Sequence, residues 1–358
     1  TPEATYVTFK AGDNYWSHSH LDQGAFTIYR GGALAIDSGL YGSAYGSDHH
    51  MNYTYQTIAH NTITVTDPAD TVPAPAHRRW DDETRPIAND GGQRRVGSGW
   101  GLGPAPIDLE EWMHLRDMYH TGEIRRLVVE DDLVIVAADI TAAYTNRESG
   151  ADDFSARARR VEHLWRTFIY DRVDDVVIVY DQVASTRPEF RKAWLLHSQE
   201  APLILGNRFE IEVRPQEREG RQGGRLTGYV MLPSDAHVTS LGGPGFEFFV
   251  DGNNYDDDGQ VQEIARTRKT DAEPGGWRIE VSPLRDSMED LFLVVMLPSN
   301  WAERSTHEVR MIGSEEDPGV EVSGEKRRIR WHFARDELGG RAEIIKRDGT
   351  SGNRIVQW

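Results

Sequence analysis

Glu162-His163-Leu164-Trp165-Arg166-Thr167-Phe168-Ile169-Tyr170 is followed, across Asp174-Asp175, by Val176-Val177-Ile178-Val179-Tyr180-Asp181-Gln182-Val183. Both runs are rich in β-branched and aromatic residues and a turn-forming Asp pair separates them, the pattern of an antiparallel hairpin. The same rhythm continues in both directions. Ala25–Tyr29, Ala33–Asp37, Thr62–Thr66, Leu127–Val129 and Leu133–Ala138 come before it. Arg191–His197, Phe209–Val213, Gly228–Leu232, Phe246–Val250, Trp277–Val281, Leu291–Leu297, Val309–Ile312, Arg327–Phe333 and Ala342–Lys346 come after it. Amphipathic helix is scarce; the best candidate is a short stretch near Ile107–Met113. The expected fold is all-β: a large antiparallel multi-sheet β-sandwich, a supersandwich, with few helices.

A chain of 358 residues buries enough surface to be stable without staples. With no cysteine, a disulfide framework, a thiol nucleophile and a Cys-based metal site are excluded. The formal charge of −18, from 40 Lys+Arg against 58 Asp+Glu, argues against nucleic-acid binding, because affinity for a phosphate backbone comes largely from Lys and Arg. No apolar stretch approaches the roughly 20 residues that cross a bilayer, so no membrane partner is expected. Thr66–Val96 reads as a long surface excursion, and Leu241–Gln260 as a seam between a larger and a smaller sheet layer within one module spanning 1–358. Asp256-Asp257-Asp258 reads as a solvated loop, since no bidentate Glu follows at EF-hand spacing.

Chemistry concentrates near the N-terminus. Residues 12–61 hold five of the 13 histidines: His18, His20, His49, His50 and His60. In an extended segment His18 and His20 point to one side. Asp37 ends the second of two apolar runs joined by Arg30-Gly31-Gly32, so a hairpin returns it beside those histidines, and His60 precedes another β-rich run. Imidazoles and a carboxylate on neighbouring strands suit zinc or another divalent metal. A cupin would supply such an HxH pair, but Gly24 and Ala25 stand where its Glu is needed. An iron-dependent oxygenase could use His20-x-Asp22 with His60, without a clear Arg downstream for its co-substrate. A carbohydrate-binding module that merely carries the metal is a further alternative.

His18-Ser19-His20-Leu21-Asp22-Gln23-Gly24, Ala35-Ile36-Asp37-Ser38-Gly39 and Thr57-Ile58-Ala59-His60-Asn61-Thr62 together resemble the C-terminal β-sandwich module of the heparinase II/III-like polysaccharide lyases. The resemblance continues more weakly through Trp165-Arg166-Thr167-Phe168, Val176–Asp181 and Lys192–His197, covering about the first 200 residues. It implies that His20, Asp37 and His60 hold a metal, most commonly Zn2+, and that His18 lines the cleft and takes part in catalysis. It further implies that Tyr45 contacts substrate, with Tyr41, Tyr53 and Tyr55 as rivals, while His197 suits a structural hydrogen bond.

The implied reaction is β-elimination on a uronic-acid polysaccharide, a heparin- or heparan-sulfate-like glycosaminoglycan or alginate, by a periplasmic or secreted bacterial lyase. The C5 proton is removed and the C4–O bond breaks, so the sugar carboxylate must be neutralised and a base must stand within hydrogen-bond reach. Family members carry an N-terminal α/α toroid that supplies the principal catalytic residues; the 358 residues hold no such helical region, and the chain is expected to be a C-terminal fragment of such a lyase, or its helical part to be cleaved or a separate polypeptide. The expectation is that this chain alone has little activity and that the toroid is its partner. An acidic module must gather positive charge locally to hold a polyanion. The candidates are Arg78-Arg79, Arg94-Arg95, Arg125-Arg126 and the Arg157, Arg159 and Arg160 group.

Overall fold

The structure, a computed structural model, describes residues 4–14, 19–40, 44, 46–69, 87–93, 107–145, 160–216, 222–267, 273–346 and 353–358. In chain order the strands begin with β1 (Tyr6–Phe9), β2 (Phe26–Tyr29), β3 (Ala33–Ala35), β4 (Ile63–Thr66), β5 (Glu123–Val129), β6 (Leu133–Asp139), β7 (Val161–Asp171) and β8 (Val176–Ser185). They continue with β9 (Arg191–Ser198), β10 (Leu203–Leu205), β11 (Arg208–Val213), β12 (Gly224–Leu232), β13 (His237–Gly242), β14 (Phe249–Val250) and β15 (Asn253–Asn254). The last are β16 (Trp277–Ser282), β17 (Glu289–Asn300), β18 (Glu308–Met311), β19 (Gly319–Ser323), β20 (Arg327–Phe333), β21 (Gly340–Lys346) and β22 (Arg354–Gln357). Helices are short: α1 (Leu109–His114), α2 (Arg116–Tyr119), α3 (Ala142–Thr145) and α4 (Gln260–Thr267).

An eight-stranded sheet of order β10-β11-β12-β17-β8-β7-β6-β5 divides the molecule. On one face lie the three-stranded sheet β1-β2-β3 and the four-stranded sheet β13-β16-β9-β4; on the other lies the five-stranded sheet β18 to β22. Strand alternation explains why one sheet serves two cores. Val177, Val179 and Val294 pack with Phe26, Trp194 and Ile279 on the first side, whereas Ile178, Tyr180, Leu293 and Val295 pack with Val322, Ile329 and Trp331 on the second. A strand covered on both faces reads as an unbroken apolar run, which is what Val176–Tyr180 is. The fold is therefore the all-β multi-sheet sandwich expected from the hairpin pattern.

Three details differ from expectation. The run Phe246–Val250 is strand only at Phe249–Val250, because Phe246 N donates to Gly243 O (2.8 Å) and closes a turn first. β3 ends at Ala35, after which Ile36 N leaves the hairpin and donates to His197 O in β9 (3.1 Å). The strands β1, β10, β13, β19 and β22, each of three to six residues, and helix α4 are too short to give a periodic pattern that can be seen in sequence. Most of the Thr66–Val96 excursion lies outside the described residues.

His49 sits fully buried beneath the tip of the segment that follows β15. Its Nδ1 donates to Tyr255 O (2.6 Å), its Nε2 accepts from Leu40 N (3.1 Å), and its backbone N donates to Asp257 Oδ1 (2.9 Å). Asp257 and Asp258 are left-handed residues of the turn before α4, so the Asp run is used as turn and anchor. Burial lowers the His49 pKa to about 4 from 6.5. Between those values the unfolded imidazole takes up a proton that the folded one refuses, so stability falls as pH drops through this window. The expected loss is about 3 kcal/mol between pH 6.5 and pH 4. In urea unfolding, the difference between wild type and His49→Gln should narrow by that amount over the same range. A constant gap would show that His49 does not set this acid sensitivity.

Candidate metal centre

The β2–β3 hairpin carries Asp37 two residues beyond its end, and the chain is pinned on either side of it. Ile36 N is held by His197 O, and Ser38 N donates to Ala59 O (3.0 Å). His60 follows a single 3-10 turn, Thr57–Ala59, in extended conformation and leads into β4. It is fully buried, with Nδ1 against Asp37 Oδ1 in a close hydrogen-bonded pair. His20 is brought up by Leu21, whose N donates to Tyr55 O (3.0 Å) and whose O accepts from Thr57 Oγ1 (2.8 Å). The His20 ring then lies 5.3 Å from the His60 ring and edge-on to Tyr55 at 4.7 Å.

Ligand atoms of His20, Asp37 and His60 all fall within 4.8 Å of one another, and this is the one such cluster among the described residues. Both motif glycines are needed for it. Gly24 has φ +80°, and a Cβ there would meet Ile140 Cδ1 at 2.8 Å. Gly39 has φ +88°, and its Cβ would meet Thr54 Oγ1 at 2.5 Å. Only glycine takes such a conformation in so little space.

Asn61, beside His60, clamps three segments. Its Nδ2 donates to Phe26 O (2.7 Å) and Ile36 O (2.9 Å), and its Oδ1 accepts from His197 N (2.7 Å). The His197 side chain is buried and its Nε2 donates to Ile58 O (2.8 Å), the structural role expected for it. Beneath Asn61 lies Arg166, fully buried and bidentate to Asp181 at 2.6 and 2.9 Å. Arg166 Nη1 also donates to Gly24 O (2.6 Å) and Asn61 O (2.9 Å). The pair ties the large sheet to both motif segments that carry imidazoles.

Electrostatics prepares the ligands. Burial, helped by the nearby His60, lowers the His20 pKa to about 4, so that ring is neutral at neutral pH. Burial opposes a charge on His60, yet the Asp37 carboxylate beside it raises its pKa. Burial would push Asp37 up, but His60 outweighs it and holds the carboxyl low. His60 Nε2 is buried and has no hydrogen-bond partner among the described residues. Two imidazoles, one carboxylate and an unsatisfied buried ring nitrogen suit a divalent cation, whose binding displaces protons from such ligands.

Of the other site residues inferred from sequence, His18, Tyr45 and Tyr41 lie outside the described residues. The rivals Tyr53 and Tyr55 are fully buried, and the Tyr53 hydroxyl lies 3.0 Å from Ser38 Oγ; this removes them as surface contacts for substrate. Arg160 is also buried, with Nη1 on Gly92 O (2.9 Å), so it serves the fold and not a cationic patch. Arg125 and Arg126 are exposed on the edge strand β5. Arg78, Arg79, Arg94, Arg95, Arg157 and Arg159 lie outside the described residues.

Residues 2–240 match the family described as heparinase II/III-like, C-terminal. The chain belongs to that family. The heparinase II/III-like module also shares its fold with solved lyase structures. A heparinase III gene product aligns at 13% identity and a TM-score of 0.52, over 93% of this chain and 40% of the other. The heparan sulfate lyase from Pedobacter heparinus aligns at 11% identity and a TM-score of 0.50, over 89% of this chain and 37% of the other. Another heparinase III structure aligns at 12% identity and a TM-score of 0.51, over 100% of this chain and 40% of the other. The module thus spans about 40% of the length of these solved chains. No curated protein matches its sequence. No helix among the described residues is long and apolar enough to cross a membrane.

Proposed function

We propose that this module forms one wall of the cleft of a lyase that cleaves a uronic-acid polysaccharide, a heparan-sulfate-like glycosaminoglycan or alginate, by β-elimination. The observation that carries the proposal is the convergence of His20, Asp37 and His60, from three separated sequence segments, in a chain of this family. In this reading the three residues hold Zn2+, and His18, two residues before His20, stands at the cleft as base or carboxylate-neutralising donor. Tyr45 contacts the sugar. The metal, when bound, would supply a fixed positive centre that holds the three ligand-bearing segments together. The chain's own residues shape this wall. Asp37, His60 and Asn61 orient the wall, and His18 takes the C5 proton or donates to the carboxylate as enolate-like charge develops. An α/α toroid completes the cleft and supplies the remaining catalytic groups, and the enzyme works in the periplasm or outside the cell.

Metal analysis of the purified chain tests the centre. About one zinc per chain is expected, falling to less than about a tenth of that in His60→Ala and Asp37→Ala. Unchanged metal content in both variants would remove the assignment. Release of unsaturated uronide, followed by ultraviolet absorbance, tests the reaction. The module together with its toroid should yield product, and His18→Ala should lower the rate about 100-fold or more.

A further inference from the structure

We propose that a shelf on the outer face of the eight-stranded sheet is a second oxyanion site, separate from the His–Asp centre, that takes a carboxylate or sulfate group carried on a polysaccharide. Strand alternation sends Phe209, Ile211, Leu226 and Val230 into the core beneath the hairpin-bearing layer. The intervening residues therefore face the other way. Cross-strand register sets Arg208 opposite Tyr229, Glu210 opposite Thr227 and Glu212 opposite Arg225. Among the described residues none of β10 or β11 belongs to the core that the five-stranded sheet forms on this face, so the end of the large sheet is left as an open step.

A cavity of about 80 Å3 opens at this step, lined by Arg208, Arg225, Tyr229, Ser299 and Arg304 among others. Its cations are held by planar stacking: the Arg225 guanidinium lies 4.4 Å from the Trp301 ring centre and that of Arg208 5.7 Å from Tyr229. Glu212 pairs with Arg225 Nε at 3.0 Å and Glu210 with Arg208. Donors remain: among the described residues Arg208 Nε is buried without a hydrogen-bond partner, Arg225 Nε makes no hydrogen bond despite its ion pair with Glu212, and exposed Arg304 makes no ion pair.

A buried guanidinium N–H without an acceptor is costly, and an oxyanion satisfies it with a charge-assisted bond. Three guanidinium groups against two carboxylates leave one net positive charge, a local exception on a chain of −18. The cavity is several times the ~10–15 Å3 that one water needs on the same measure, room for one carboxylate or sulfate with the sugar ring outside it on the shelf. The site stands on these side chains alone; naming a polysaccharide as the bearer of the group rests on the proposed function. A glycan held here, across the sheet from the His–Asp centre, would be retained without occupying the cleft.

Isothermal titration of the 358-residue chain tests this with three ligands at matched ionic strength: a heparin hexasaccharide, its desulfated and carboxyl-reduced analogue, and sodium sulfate. The hexasaccharide should bind, the analogue should not, and each of Arg208→Gln and Arg304→Gln should weaken binding about tenfold. Arg304 is exposed and makes no ion pair among the described residues, so Arg304→Gln decides the matter if Arg208→Gln lowers the melting temperature. Unaltered affinity in Arg304→Gln overturns the site. Sodium sulfate binding as tightly as the hexasaccharide overturns the polysaccharide as its source. Absence of unsaturated product in the lyase assay would instead overturn the proposed reaction while leaving these titrations to be judged separately.

Discussion

Arg166→Ala should cost about 3–5 kcal/mol of stability, because it strands Asp181 as a lone charge in a dry interior. Both side chains are fully buried and meet across neighbouring strands, Arg166 in β7 opposite Asp181 in β8. Burial raises the Asp181 pKa, and the Arg166 charge offsets only part of that rise. With the arginine gone, that carboxyl must be neutralised or the core opened. The substitution also removes donors from Gly24 O and Asn61 O, so zinc binding should weaken together with stability. Urea unfolding and a chelator competition measure the two effects. A double change, Arg166→Met with Asp181→Leu, should recover much of the stability but little of the zinc affinity, because apolar replacements remove the stranded charge without restoring the two tethers. A cost below about 1 kcal/mol for Arg166→Ala would contradict the account.

Asn61→Ala should have the second-largest effect, about 3–4 kcal/mol, because it leaves Phe26 O, Ile36 O and His197 N without their partner in a buried site. Those bonds set the spacing between the Asp37 and His60 segments, so zinc affinity should fall by about 10- to 100-fold, the usual scale for groups that orient metal ligands. Asn61→Asp keeps the acceptor for His197 N but loses both donors, and should behave nearly as badly. Stability that falls while zinc affinity stays within about twofold would show that Asn61 serves the core and not the centre.

Much of this was legible in the residues. Apolar runs between turn formers revealed the sandwich, since a strand covered on one or both faces must place its β-branched side chains in a readable order. The convergence of His20, Asp37 and His60 was legible because each sits in a short motif whose glycines and polar neighbours leave a trace. The anchor beneath them was not. Arg166 shares its strand face with Leu164 and Phe168, so the sequence shows only a charge where a core residue belongs, and nothing local says that Asp181 stands opposite. Register between strands carries that information, and register is a tertiary fact. The shelf of Arg208, Arg225 and Arg304 was invisible for the same reason. Its members look like scattered arginines until β11, β12 and the turn after β17 are brought side by side.

The partners of the centre are spread along the chain, and this has a consequence for the order of its assembly. β4, which follows His60 directly, pairs with β9 more than a hundred residues later, and β9 in turn pairs with β16. The Ser38 hydroxyl and Gly39 N, next to Asp37, both bond to Pro274 O (3.1 and 2.7 Å). As the polypeptide emerges from the ribosome its histidines come first, but the strands that fix their geometry come only after most of the chain has been made. A divalent cation held by His20, Asp37 and His60 would therefore not nucleate the structure, as one does in a small metal-templated domain. Its capture would instead mark the closing of long loops, a slow step in β-rich folding, and serve as a clock for the moment at which the nascent chain becomes native.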